Sequence, residues 1–272
     1  MKKIIQFATV ICVLIISSCT GDDAFEDTVT TTVDMNVVAE FGGEPLQMQK
    51  EYTLCDGKKV IFTEVNLYLS DIVLLNETDP ETPVTELKEI EYVELSVTDA
   101  SEAAAGQLLK YENVPVGTYN GVQMGLGVIA DLNRTKPEDY GSSSPLAKNS
   151  HYWAMTNSYI FAKITGYVDM DGDGEIVQGG ANTEGFTYHI GSDPTYTEAQ
   201  VLKPIALIEA QDATFKLIFE FSSVFETSSD VFDGDTDDDC LDVATYRSAH
   251  TDDLELGTGM MKNLANSVEI DL

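Results

Sequence analysis

The sequence predicts an all-β protein, a single antiparallel immunoglobulin-like β-sandwich with a few short helices. Two observations lead to this prediction. Apolar and polar residues alternate with a period of two in about eight segments, the pattern of strands that bury one face. Turn-rich segments separate them, and hydrophobic residues make up 43% of the 272 residues, enough for a substantial core.

The first eighteen residues have the features of a secretion signal. Lys2 and Lys3 precede an apolar segment, Ile4–Ile16, which is short for a bilayer span. Residues 16–19, Ile-Ser-Ser-Cys, resemble a bacterial lipobox, in which Cys19 becomes the lipidated first residue. We therefore predict a signal peptide over 1–18 and a lipidated flexible tether over 19–30. The acidic residues after Cys19 indicate a cell-envelope lipoprotein of the outer membrane, exposed at the surface and attached through its lipid anchor only.

The predicted sandwich domain extends over residues 31–272. Its strands follow from alternating segments at 33–41, 61–73, 93–97, 122–128, 159–168, 186–190, 201–207 and 215–221. Short helices are predicted near 100–110, 145–153 and 259–266. A turn at Val114–Gly117 precedes Tyr119, and a tyrosine in this position often folds its hydroxyl back onto the chain at a sandwich corner.

The charge balance is strongly acidic. Fifteen Lys and Arg face 47 Asp and Glu, which gives a formal net charge of −32. Nucleic-acid binding is therefore excluded, because neutralising phosphates requires Lys and Arg. The sequence also contains no nucleophile elbow, zinc-protease motif or phosphate-binding loop. We predict a protein that is not an enzyme and that attracts cations.

Two cysteines remain once Cys12 leaves with the signal and Cys19 is lipidated. Cys55 and Cys240 can form one disulfide in an oxidising envelope. The sequence leaves open whether the two residues meet.

A cation site is predicted at residues 169–175. Asp169, Asp171 and Asp173, followed by Gly174, match the first half of a calcium loop, and Glu175 supplies another carboxylate. The twelfth position is Gly180 instead of Glu, so the segment is not a full EF-hand. The alternative is a solvated acidic hairpin, in which Asp and Gly are also favoured.

Histidine occurs only three times, at His151, His189 and His250. His151 lies two residues before Trp153, the only tryptophan. In the strand around His189, the residues Phe186, Tyr188 and Ile190 share one face, while Thr187 and His189 share the other. From residue types alone, such a strand histidine is more often a surface or hydrogen-bonded residue than a metal ligand.

Four segments, in this order, resemble motifs of the MbnP-like domain family, named for copper-binding proteins encoded with methanobactin biosynthesis. They are residues 66–74 (NLYLSDIVL), 114–119 (VPVGTY) with 125–128 (GLGV), 152–153 (YW) with 159–166 (YIFAKITG), and 186–191 (FTYHIG). The resemblance implies an envelope β-sandwich that binds copper with two histidines and a tryptophan oxidised to kynurenine by a dihaem peroxidase-like partner.

By motif position, Trp153 would be the modified residue and His189 one ligand. The second ligand stays open between His151 and His250. The competing interpretation is a calcium-stabilised structural lipoprotein, or a ligand- or glycan-binding one, that has the same fold without a transition metal.

Overall fold

The computed structural model describes residues 28–76, 84–180, 182–226, 240–243, 245–250 and 253–272. The predicted signal peptide, Cys19 and most of the predicted tether lie outside these residues. Within them the strands are β1 (Thr30–Phe41), β2 (Glu44–Pro45), β3 (Glu51–Thr53), β4 (Lys59–Asn76), β5 (Val84–Glu94), β6 (Gln107–Pro115), β7 (Gly117–Leu126), β8 (Tyr152–Trp153), β9 (Ser158–Asp169), β10 (Thr183–Gly191), β11 (Thr197–Leu207), β12 (Ala213–Glu220), β13 (Ser248–Ala249) and β14 (Val268–Asp271). The α-helices are α1 (Ala100–Ala105), α2 (Ala130–Asn133) and α3 (Leu254–Asn266).

The strands form two sheets, as the alternating pattern predicts. The smaller sheet has the order β14-β12-β1-β2, with β6 also paired to β1. The larger sheet has the order β11-β7-β4-β9-β10-β13, and β3, β5 and β8 pair with its members. The all-β sandwich is therefore confirmed.

Two strand pairs differ from the antiparallel prediction. β1 runs parallel to β12, with Val33 opposite Ala213, and β10 runs parallel to β13, with Tyr188 opposite Ala249. A period of two fixes which face of a strand is buried, but it carries no information about the direction of the partner strand. The second parallel pair positions one of the candidate ligands.

The core lies between the two sheets. Val33, Met35 and Val37 of β1 are fully buried, as their alternation predicts. Aromatic rings fill the centre, where the Phe62 ring lies 5.8 Å from Phe186 and 6.0 Å from Phe225 between centroids. Each such pair adds packing energy beyond the area that it buries.

The structure confirms one local prediction, at the start of β7, and adds a strand, β6, that was not predicted. The Tyr119 hydroxyl donates to the Pro115 carbonyl at 2.7 Å, so the predicted tyrosine corner is confirmed. β6 has no counterpart among the predicted strands. Leu108 is 52% exposed between the inward residues of this strand, so a hydrophobic residue occupies a solvent position and hides the alternation.

The helices are shorter than predicted near residue 100 and longer near the C-terminus. α1 ends at Ala105, followed by Gly106 with a positive φ of 73°. The region 145–153 holds only short 3₁₀ turns before β8, and α3 begins at Leu254 with the Asp253 side chain as its cap. Among the described residues, no helix is long and apolar enough to cross a bilayer.

Cys55 and Cys240 form a disulfide, with their Cα atoms 5.6 Å apart and 185 residues between them in sequence. Cys55 lies in the turn between β3 and β4. The bridge therefore ties the segment that leads into β13 to the larger sheet.

Candidate metal centre

β10 presents His189 on its more polar face. Phe186, Tyr188 and Ile190 are buried on the opposite face, as the alternation predicts, while His189 is half-buried. In the antiparallel ladder with β9, His189 lies directly opposite Lys163. Residues that face each other across two strands project to the same side of the sheet. His189 and Lys163 are therefore neighbours on this face.

The parallel strand β13 brings His250 to the same place. Its ladder pairs Thr187 with Ser248 and Tyr188 with Ala249, and the same register continued by one residue sets His189 beside His250. The two imidazole rings are 5.5 Å apart between centroids and nearly perpendicular, at 77°. Two histidines separated by 61 positions in the sequence thus lie side by side.

Trp153 completes a group of three rings. It lies on β8, which pairs with the start of β9, and its ring centroid is 6.5 Å from that of His189 and 6.0 Å from that of His250. Gly191 in β10 leaves room for the Trp153 ring beside the two histidines. A Cβ atom at Gly191 would lie 3.2 Å from Trp153 Cζ3 and would also clash with the Tyr159 carbonyl oxygen.

The His189 imidazole is held in its neutral form. Burial lowers its pKa to about 4, and the positive charge of Lys163 and the neighbouring His250 act in the same direction. A neutral imidazole has a lone pair for a metal without first losing a proton. His189 is therefore ready to act as a ligand at neutral pH.

Lys163 is a residue of this centre that the sequence analysis missed. It is only 8% exposed, and its Nζ lies 3.7 Å from Glu64 Oε1. Buried lysines are rare unless they are paired. The available signal was the position of Lys163 as the single charged residue in the apolar run from Tyr159 to Ile164.

His151 occupies a different environment. It is 3% exposed, and its Nε2 and Nδ1 atoms lie 3.2 Å from Tyr92 Oη and 3.1 Å from Ser150 Oγ. Burial lowers its pKa to about 3, with smaller contributions from Lys163, Lys148 and His189. Both ring nitrogens are engaged by these hydroxyl groups. The structure thus brings Trp153 together with His189 and His250, and places His151 among tyrosines.

The acidic loop between β9 and β10 forms a second cluster. One carboxylate oxygen each from Asp169, Asp171 and Asp173 lies within 4.8 Å of the others, and Asp169 is buried. Burial acts to raise the pKa of Asp169, but backbone N–H donors of Gly174 (2.8 Å) and Gly172 (3.0 Å) hold it below its usual value. Glu175 is not part of this group; its N–H donates to Asp173 Oδ1 at 2.8 Å.

The family model for MbnP matches residues 30–242. The chain belongs to the MbnP family. The matched segment contains Trp153 and His189 and ends eight residues before His250. His250 is thus placed in the centre by the geometry of this chain and lies outside the family match.

Among solved structures, this MbnP-family chain is similar to "MbnP from Methylosinus trichosporium". The two share 13% sequence identity, with a TM-score of 0.49 over 73% of this chain and 78% of that chain. Comparison with curated proteins gave no match.

Proposed function

We propose that this protein is a lipid-anchored copper-binding protein of the cell envelope, in which His189 and His250 hold the metal beside Trp153. The observation that carries this proposal is the group of three rings, which lie 5.5–6.5 Å apart between centroids. Copper is the cargo of such a protein, which binds or stores it at the outer membrane.

The donor set fits copper. Imidazole nitrogens suit this metal, and the affinity of a nitrogen site in the divalent series is highest for Cu²⁺. Both histidines are half-buried, so the site has fewer competing water ligands than an exposed pair. The net charge of −32 also favours the approach of a cation.

Trp153 in its intact form cannot be a third ligand, because the indole N–H is a donor without a free lone pair. Oxidation to kynurenine would supply an aromatic amine and a carbonyl at the same position. We propose that a dihaem peroxidase-like partner performs this oxidation. Purified native protein would then be heavier than its sequence by about 4 Da at Trp153, as peptide mass spectrometry would show.

Copper titration against a chromophoric chelator tests the proposal. We expect His189→Ala and His250→Ala to weaken copper binding at least 100-fold, since each removes one of two imidazole ligands. His151→Gln serves as the matched control and should leave the affinity within threefold. Wild-type affinity in His250→Ala, or none in the native wild-type protein, would contradict the proposal.

The Asp169–Asp173 cluster favours a second candidate function, that of a calcium-stabilised structural lipoprotein without a transition metal. A cation that binds only the folded state raises the melting temperature, by about 5–10 °C at a hundredfold excess over Kd. Asp171→Asn should remove this shift, and Asp212→Asn, an exposed carboxylate elsewhere, should keep it. The calcium-stabilised function predicts that Trp153→Phe has the same affinity for every metal as the wild type. The copper proposal predicts instead that Trp153→Phe binds copper more weakly than native wild-type protein in which Trp153 has been oxidised to kynurenine.

A further inference from the structure

An apolar pocket and a polar cleft adjoin each other beside β5, and the proposed copper site uses neither. The apolar pocket has a volume of about 320 Å³, and its apolar walls are Ala39, Leu46, Leu95, Val97 and Ala103. The polar cleft has a volume of about 430 Å³, and its lining includes Glu91, Tyr92, Ser142–Ser144 and Lys148. Glu94 and Gln107 line both spaces, so a single ligand can reach from one into the other.

Gln107, the first residue of β6, fixes the boundary between the apolar pocket and the polar cleft. Its Oε1 atom accepts from the Glu94 N–H at 2.7 Å, and its Nε2 atom donates to the Tyr92 carbonyl at 3.0 Å. Because β6 belongs to the smaller sheet and β5 to the larger one, this amide joins the edges of the two sheets. The backbone of Glu94 is thereby held at the boundary, while its side chain is exposed to solvent.

Small residues leave room in the apolar pocket. Ala39 and Ala103 contribute only methyl groups to its walls. Gly106 allows the end of α1 to lie close to β1, since a Cβ atom at this position would be 2.4 Å from the Val37 carbonyl oxygen. The volume of the pocket falls at the low end of the range for small-molecule sites. The pocket therefore fits one compact apolar group.

The charges around the two spaces are mostly negative. Three carboxylates, those of Glu91, Glu94 and Glu102, face one ammonium group, that of Lys148, whose Nζ lies 4.1 Å from the Tyr92 ring centroid. In the part of the chain that the structure describes, no ion pair joins these glutamates to a basic side chain. Burial raises the pKa of Glu91, so desolvation disfavours its charged form. A cation bound beside Glu91 would offset this cost.

Tyr111 of β6 is a second feature that indicates a ligand near Glu91. Tyr111 is 5% exposed, and among the described residues its Oη is the buried side-chain polar atom without a hydrogen-bond partner. After burial, the negative charge of Glu91 is what raises the pKa of Tyr111, so the hydroxyl and the carboxylate are neighbours. A phenol oxygen accepts hydrogen bonds as well as donating them. One ammonium group can therefore donate to both Glu91 and Tyr111.

We propose that the apolar pocket and the polar cleft together bind a small organic cation, a primary amine with a compact apolar body. The apolar body occupies the pocket between Ala39 and Ala103, and the ammonium group lies in the cleft, where the glutamates accept its hydrogen bonds. Hydrogen bonds between two charged groups are shorter and stronger than neutral ones. His189, His250 and Trp153 line neither space, so this site is independent of copper binding.

Isothermal titration calorimetry of the purified protein in EDTA tests the proposal, with 4-phenylbutylamine as the probe. The comparison ligands are 4-phenylbutan-1-ol, which lacks the charge, and butylamine, which lacks the ring. We expect the probe to bind at least tenfold more tightly than either. Glu89→Gln is the matched control, because it removes an exposed carboxylate of β5 that lines neither space. It should leave the affinity for the probe within twofold of the wild type.

Glu91→Gln and Glu94→Gln should each weaken binding of the amine probe at least fivefold and leave the affinity for the alcohol within twofold. Ala103→Leu fills the apolar pocket and should weaken binding of both ligands at least fivefold. Tyr111→Phe removes an unpaired buried hydroxyl, so we expect an unchanged or higher melting temperature together with at least threefold weaker binding of the amine.

Three results would overturn the cation site. They are equal affinities for the amine and the alcohol, equal losses in Glu89→Gln and Glu91→Gln, and no heat of binding with the probe at millimolar concentration. Circular dichroism of each variant verifies folding, and the glutamate variants decide the question if Ala103→Leu does not fold.

Discussion

His151 is a buried, neutral histidine whose protonation opposes folding. Burial lowers its pKa to about 3 in the folded protein, whereas an unfolded histidine titrates near 6.5. Between these values the unfolded chain binds a proton that the folded chain does not. The contribution of His151 to the free energy of unfolding is therefore fully present above pH 6.5, and this contribution is lost as the pH decreases toward 3.

We predict that His151→Gln, which keeps a hydrogen-bonding group toward Tyr92, loses this pH dependence. Between pH 7.5 and pH 5, the His151 contribution to the free energy of unfolding should fall by about 2 kcal/mol in the wild type. Urea denaturation of both proteins at the two pH values measures the difference. If the variant and the wild type lose equal stability, His151 does not titrate as described.

Some residues of the candidate metal centre could be predicted from the sequence and others could not, for physical reasons. The alternation around His189 shows that this residue avoids the apolar face, which a local pattern can reveal. The partnership with His250 depends on a parallel pairing between residues 61 positions apart, and no local pattern encodes it. His151, although two residues from Trp153, is directed by Tyr92 and Ser150 into another environment.

At the scale of elements, strand identity was more predictable than strand pairing. The apolar alternation of β1 predicts its buried face correctly, because burial and the pleat impose the same period. The direction of β12 beside it depends on how the connecting chain returns, which composition does not determine. The first half of β5 has charged residues on its exposed face and few apolar ones, so it was not predicted as a strand either.

The disulfide between Cys55 and Cys240 links two distant elements. In the chain-entropy model, closing a loop of 185 residues restricts the unfolded chain enough to contribute about 5 kcal/mol. We predict that the double variant Cys55→Ala/Cys240→Ala loses free energy of unfolding of that order in guanidinium denaturation. Wild-type protein under reducing conditions should show the same loss, and a difference below 1 kcal/mol in both would contradict the model.

At the scale of the whole molecule, like charges dominate. With 47 acidic and 15 basic side chains, self-repulsion disfavours the compact state. Raising the salt concentration from 10 mM to 150 mM shortens the Debye length from about 30 Å to about 8 Å. Screening thus weakens this repulsion across most of the molecular surface.

We therefore predict that the melting temperature rises by several degrees over this range of sodium chloride. The measurement is a thermal unfolding scan in the presence of EDTA, so that divalent cations at the Asp169 loop do not contribute. A falling melting temperature would mean that surface ion pairs, such as Arg247 with Glu184, outweigh the repulsion.

The parallel placement of β13 against β10 makes one short ladder responsible for the imidazole pair. β13 has two residues and His250 follows it directly, so His250 lies beside His189 only while this ladder is formed. In the proposed copper site, opening of the β10–β13 ladder would therefore remove one of the two ligands and leave His189 in place on β10. Local opening of this strand pair and release of the metal would then be a single event.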